Sequence, residues 1–208
     1  MEDFIRSEWE ALCRRYSADE ALIGQLWVEL VKAYTAKDRH YHNLTHISYM
    51  LELAHRYNVA NDQVYLLLFS IFYHDIVYKA TRSDNEEQSA ALAQDRLHRL
   101  GIPEADILQV KDLIIATKTH QASEDKLTNL LLDLDLAILG ADETRYDRYS
   151  QGVRKEYSMY PDLIYKPGRR KVLKHFLTQK QIYKTAAFQE EFESNARANL
   201  KRELAKLN

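Results

Sequence analysis

From Phe4 to Leu204 apolar residues return at steps of three and four, and very little interrupts them. Phe4, Ile5, Trp9, Leu12, Cys13 and Tyr16 give one face to a first amphipathic helix, and Leu22, Leu26, Leu30 and Tyr34 give a face to a second. Only 5 glycines and 3 prolines occur in 208 residues, so turns must be few and the elements between them long. The spacing predicts further helices over residues 44–57, 64–78, 85–100, 104–117, 126–139, 142–159, 169–177 and 188–207, with a turn over 58–62 and a loop over 79–85. Gly101 and Pro103 stop the helix over 85–100, and Gly140 closes the one over 126–139 as a glycine just past a helix end. YPDLIYKPGRR (residues 160–170) holds Pro161, Pro167 and Gly168 and predicts a long functional loop or a subdomain joint. The expected fold is all-α: a single multi-helix bundle over 1–208, with its functional core at about 39–157 and the helices of 158–208 packed on it.

Charge and cysteine content narrow the function classes. With 29 basic and 31 acidic residues there is no net field to draw nucleic acid or an anionic membrane. The single cysteine, Cys13, excludes an internal disulfide and suits a reducing compartment. The longest apolar run, VYLLLFSIFY (64–73), is shorter than the roughly 20 residues of a spanning helix. The N-terminus, MEDFIRSEWE, is acidic and amphipathic, unlike a signal peptide. A soluble, cytoplasmic protein without a membrane partner is the expectation.

That apolar run ends on His74 and Asp75, a polar pair that an interior does not accept without partners. YHNLTH (41–46) adds His42 and His46, and LLLDLDLAILG (130–140) sets Asp133 and Asp135 in a third apolar stretch. Two apart, these two aspartates cannot share a helix face. The helical neighbours of Asp135 are Leu131, Leu132, Ile138 and Leu139, which places Asp135 inward and leaves Asp133 for a cap, rim or supporting position. His46, His74, Asp75 and Asp135 would make a mixed nitrogen and oxygen site suited to Mn²⁺, Fe²⁺, Co²⁺, Ni²⁺ or Zn²⁺, with Mg²⁺ also in the set.

A histidine, a His-Asp doublet and a distant aspartate in an all-helical chain resemble the HD-domain superfamily of metal-dependent phosphohydrolases. RHYHNLTHI, LLLFSIFYHDIVY, TRSDNEEQSA and DLDLAILG are similar to its predicted phosphohydrolases of about this length, over most of residues 39–157. The resemblance implies that His46, His74 and Asp75 carry the metal together with a later aspartate, Asp133 or Asp135, of which the packing argument above chooses Asp135. Some superfamily members use extra histidines between the doublet and the last aspartate for a second ion; His98, in the charged surface-like segment QDRLHRL, and His120, expected after a helix end beside the cleft, lie in that interval here.

Several further residues are candidates. In SDNEEQSA, Asp84 and Glu87 fit a capping box, and the resemblance gives Glu86 proton transfer over the metal. Glu87 stands beside it as a second catalytic candidate. Arg39 and Lys118 are the first choices for cations that offset phosphate charge, followed by Arg154, Arg169 and Arg170. Tyr41, Tyr73, Tyr78, Tyr149 and Tyr157 offer rings for a stacking wall or for the core. The expected function is hydrolysis of a small phosphate ester, a nucleotide being the natural candidate, by a metal-activated water. The alternatives are a non-catalytic nucleotide-binding or regulatory module with a structural metal, and a plain helical interaction protein.

Overall fold

The computed structural model describes residues 1–57 and 63–207, so the expected turn over 58–62 lies outside the described residues. Among the described residues are ten α-helices and no strand, as the spacing requires. None of these helices is long and apolar enough to cross a membrane. The chain divides into two compact units, Met1–Gln121 and Ala122–Asn208. The division falls at 121/122, whereas the sequence reading treats 1–208 as a single domain and sets 158–208 apart.

The first unit holds α1 (Glu2–Cys13), α2 (Glu20–Tyr34), α3 (Leu44–Arg56), α4 (Val64–Tyr73), α5 (Asn85–Arg99) and α6 (Glu104–Ala116). Because α4 is apolar on every face, it must be surrounded, and it packs against α3, α5 and α6. Trp9 of α1 meets Phe69, Phe72 and Tyr73 edge-on, with ring centroids 5.2–6.2 Å apart. Each such pair adds about 0.5–1.5 kcal/mol to the area it buries. The Trp9 indole N–H donates to the Ile23 carbonyl at 3.2 Å, and the Tyr34 hydroxyl donates to the Phe72 carbonyl at 2.9 Å. Both polar tips are thereby satisfied inside the core.

Within the same unit α5 stops as the sequence predicts. Gly101 takes φ +78°, its N–H donates to the His98 carbonyl, and the Ile102 N–H reaches back to the Leu97 carbonyl at 3.1 Å. Buried Leu97 and Ile102 complete this αL helix stop. The start of α5 differs from expectation. Asp84 makes no side-chain cap; its carboxylate pairs with Arg82 at 2.7 Å, and Glu87 pairs with Lys118. A nearby guanidinium and ammonium outcompete the backbone N–H groups for these carboxylates, so no capping box forms.

The second unit holds α7 (Lys126–Leu136), a single 3₁₀ turn over Ala137–Gly140, α8 (Glu143–Glu156), α9 (Asp162–Thr178) and α10 (Ala186–Lys206). The 3₁₀ turn lies against α10, α7 and α8. Gly140 does not have positive φ and is no helix-end glycine. It is required by close approach: a Cβ there would stand 2.6 Å from both Cβ and the carbonyl oxygen of Phe192. Asn199 then ties the turn down, donating to the Leu139 and Ala141 carbonyls at 2.9 and 2.8 Å.

The expected loop over 160–170 is instead the end of one helix joint and the first half of α9. Pro161 is its N-cap, and Pro167 lies inside it. An interior proline costs about 3 kcal/mol, and here Tyr165, Arg169 and Leu173, buried at four-residue steps, outweigh it. Arg169 is consequently mid-helix, where it forms a buried ion pair with Glu203 at 2.8 Å. Arg154, another candidate cation, clamps the joint before α9 through Asp162 and the Tyr157 and Tyr160 carbonyls.

Candidate metal centre

α4 ends at Tyr73, five residues before the spacing predicts, and the reason lies in what captures the next backbone groups. His74 Nδ1 takes the Ile71 carbonyl at 3.0 Å, an acceptor that a continuing helix would use for the Asp75 N–H. The Ser89 hydroxyl lies 3.1 Å from the Val77 N–H and 3.2 Å from its carbonyl. Asn85, buried, pairs with both the N–H and the carbonyl of Lys79 at 3.0 Å. Side chains here replace helical bonds, and the His-Asp doublet sits on the resulting turn rather than on the helix.

Arg39 completes this arrangement. Its guanidinium donates to the carbonyls of His42 (3.0 Å), Asp75 (2.7 Å) and Ile76 (2.9 Å). It lies 5.3 and 5.2 Å from the ring centres of Tyr34 and Tyr78. The residue is buried, and its fork joins the segment before α3 to the turn after α4. Asn43 starts α3 by accepting the Thr45 N–H at 2.9 Å. That makes His46 the third helical residue, while His42 precedes the helix, so the two do not share a helix face.

His46, His74 and Asp75 converge, with one ligand atom of each lying within 4.8 Å of the others. Both histidines are buried and Asp75 is half-buried. His46 Nε2 stands 3.3 Å from His74 Nε2, which is 3.1 Å from Asp75 Oδ2. The Ile71 carbonyl can only accept, so His74 Nδ1 carries a proton, and the neutral form of His74 would turn its Nε2 lone pair into the cluster. Lone pairs and a carboxylate at such separations repel unless a proton or a cation lies among them. Ligand atoms each about 2.0–2.2 Å from one ion, at ordinary coordination angles, stand roughly 3.0–3.5 Å apart. The donor set therefore fits a divalent ion, and these three residues could hold one.

Other predicted residues occupy varied settings. Glu86 is half-buried in the first turn of α5. Exposed Glu87 accepts from Lys118, whose ammonium also donates to the Ser83 carbonyl at 2.8 Å. Lys118 holds the Glu87 carboxyl below its ordinary range. Arg39 is engaged by carbonyls, which makes it a positioning residue in this structure. His98 is exposed and pairs with Glu104 at 3.0 Å, and His120 follows α6 with φ +51°. Tyr73 belongs to the core.

In the second unit, the order of the two α7 aspartates is the reverse of that expected. Asp133 is fully buried, and Asp135 is half-buried. Asp133 accepts the backbone N–H of Lys184 and of Thr185, each at 2.7 Å. Burial raises its pKa against the pull of those two donors. Helical neighbours alone cannot reveal backbone donors supplied from 51 and 52 residues away. The sequence also missed Tyr41 as a partner of His46, whose Nδ1 lies 3.1 Å from the Tyr41 hydroxyl. The five-residue interval in YHNLTH was its only signal.

Compared with known proteins, the chain matches no family model, no curated protein and no solved structure.

Proposed function

We propose that this chain is a metal-dependent phosphohydrolase of the HD type, acting in the cytoplasm on a small phosphate ester such as a nucleotide. The observation that carries the reading is the convergence of His46, His74 and Asp75, with the His74 proton fixed on Nδ1. A divalent ion bound there would polarise a phosphoryl oxygen and lower the pKa of a coordinated water. His46 and His74 contribute neutral nitrogen donors and Asp75 one negative charge. Arg39 keeps the Asp75 backbone in register with the segment before α3. Glu86 is the residue proposed to move the proton. A further aspartate ligand comes from the sequence resemblance, which fits Asp133 or Asp135; the helical-neighbour argument that chose Asp135 expected it, and not Asp133, to be the buried one.

One observation favours a second reading, a nucleotide-binding module with a structural metal. The two cations first chosen for phosphate are engaged elsewhere, Arg39 by three carbonyls and Lys118 by Glu87 and Ser83. The deciding experiment is metal analysis of the purified protein, followed by phosphatase and phosphodiesterase screens with Mn²⁺, Co²⁺ or Ni²⁺. Hydrolysis that depends on the ion and is lost in His74→Ala and Asp75→Ala supports the enzyme. Hydrolysis unchanged by both substitutions overturns it, and nucleotide binding without phosphate release selects the second reading.

A further inference from the structure

The two histidines of the cluster have their tautomers set by different kinds of partner. A neutral imidazole carries one N–H and one lone pair, so a ligand that binds through Nε2 must keep its proton on Nδ1. For His74 the Ile71 carbonyl imposes this, because a carbonyl cannot donate. For His46 the group at Nδ1 is a side chain, the Tyr41 hydroxyl, at 3.1 Å. A phenol can accept the Nδ1 proton or donate its own, so this contact by itself permits either tautomer.

We propose that Tyr41 is the positioning residue for His46: its oxygen accepts the Nδ1 proton and presents the Nε2 lone pair to a divalent cation. This rests on the metal-site reading and goes beyond it. The residue is well held for the task. Its carbonyl accepts the Asn43 N–H at 2.8 Å, and the adjacent His42 carbonyl is gripped by Arg39. Its ring meets His42 edge-on at 4.8 Å; His42 in turn stacks on Tyr78 at 4.1 Å, and Tyr78 lies 5.2 Å from the Arg39 guanidinium. The series Arg39, Tyr78, His42, Tyr41 and His46 thus runs through packed rings to a ligand nitrogen. Tyr41 and Tyr78 act here as supports for the site, where the sequence offered them as a stacking wall.

The test uses Tyr41→Phe, which keeps the ring and removes the hydroxyl. Co²⁺ affinity is measured by calorimetry, and the His46 tautomer is read from histidine ¹⁵N shifts in the Zn²⁺-loaded full chain. The variant is expected to lose 10- to 100-fold in Co²⁺ affinity, the usual range for a group that orients a metal-bound histidine. The wild type is expected to show a protonated Nδ1 at His46, and the variant a changed pattern at His46 alone. Melting in EDTA should stay near wild type, which separates the effect from a fold defect. Wild-type affinity and an unchanged His46 pattern in Tyr41→Phe would overturn the role of Tyr41 while leaving the metal site standing. A wild type that binds neither Co²⁺ nor Zn²⁺ overturns the metal-site reading and this inference together.

Discussion

Arg39 Nη1 donates to the backbone carbonyl of Asp75 at 2.7 Å, and so a side chain from before α3 fixes the main chain that carries a candidate ligand. Lysine would keep the charge but has no planar fork to reach His42, Asp75 and Ile76 at once. Arg39→Lys is expected to cost about 2–4 kcal/mol, because buried carbonyls lose their donors. Urea denaturation in EDTA measures that cost. Calorimetry should also show weaker Co²⁺ binding, since Asp75 and His42 lose a common anchor. A variant with wild-type stability and affinity would mean that other contacts hold this turn.

Gly140→Ala tests the second unit in the same spirit. The added Cβ would meet the Phe192 backbone and Cβ at 2.6 Å, and neither can swing aside as a side-chain tip could. Either the 3₁₀ turn or α10 must shift, at about 1–3 kcal/mol or more. Thermal melting should report the loss. At Gly24, where a Cβ meets nothing within 4 Å, the same substitution should be neutral or slightly stabilising.

These cases show what the amino-acid sequence disclosed and what it could not. Helix existence followed from local spacing, and the starts of α3, α5 and α6 fell where the pattern put them. The His74–Asp75 pair was legible as polar groups needing partners. Its position on a turn was not, because Arg39, Asn85 and Ser89 act on it from up to 36 residues away. Pro167 and Gly168 read as loop because local breakers carry no information about the buried Tyr165, Arg169 and Leu173 stripe. Asp133 and Asp135 were misordered for a like reason: only the fold brings two backbone N–H groups to Asp133.

Asp133 therefore has a purely structural prediction. Asp133→Ala leaves the Lys184 and Thr185 N–H groups without their carboxylate acceptor, just ahead of the first turn of α10. The expected loss is about 2–4 kcal/mol, read as a shift in the urea midpoint. Hydrogen exchange should rise first at Lys184 and Thr185. Asp135→Ala is expected to cost far less in the same assay, since Asp135 is half-buried. Equal losses in the two variants would contradict the assignment.

The buried pair of Arg169 and Glu203 should make the second unit sensitive to acid. Glu203 accepts from Arg169 Nε at 2.8 Å and Nη2 at 3.0 Å, and from the Tyr146 hydroxyl at 2.5 Å. Burial pushes the Glu203 carboxyl up, but the guanidinium and the phenol outweigh it and hold it below its ordinary 4.5. With the folded pKa below the unfolded one, the stabilisation is present above about pH 4.5 and is lost as pH falls through the folded value. Protonation leaves the Arg169 cation buried without its counter-charge, and Glu203→Gln does so at every pH, at about 3–5 kcal/mol. The stability gap between wild type and Glu203→Gln should be wide near neutral pH and narrower at a pH below the lowered Glu203 value, because the wild type then carries a neutral side chain too. Taking the difference between the two proteins cancels the other carboxylates that titrate over the same range. A gap of the same size at both pH values would show that the Glu203 charge contributes nothing and that packing alone accounts for the loss.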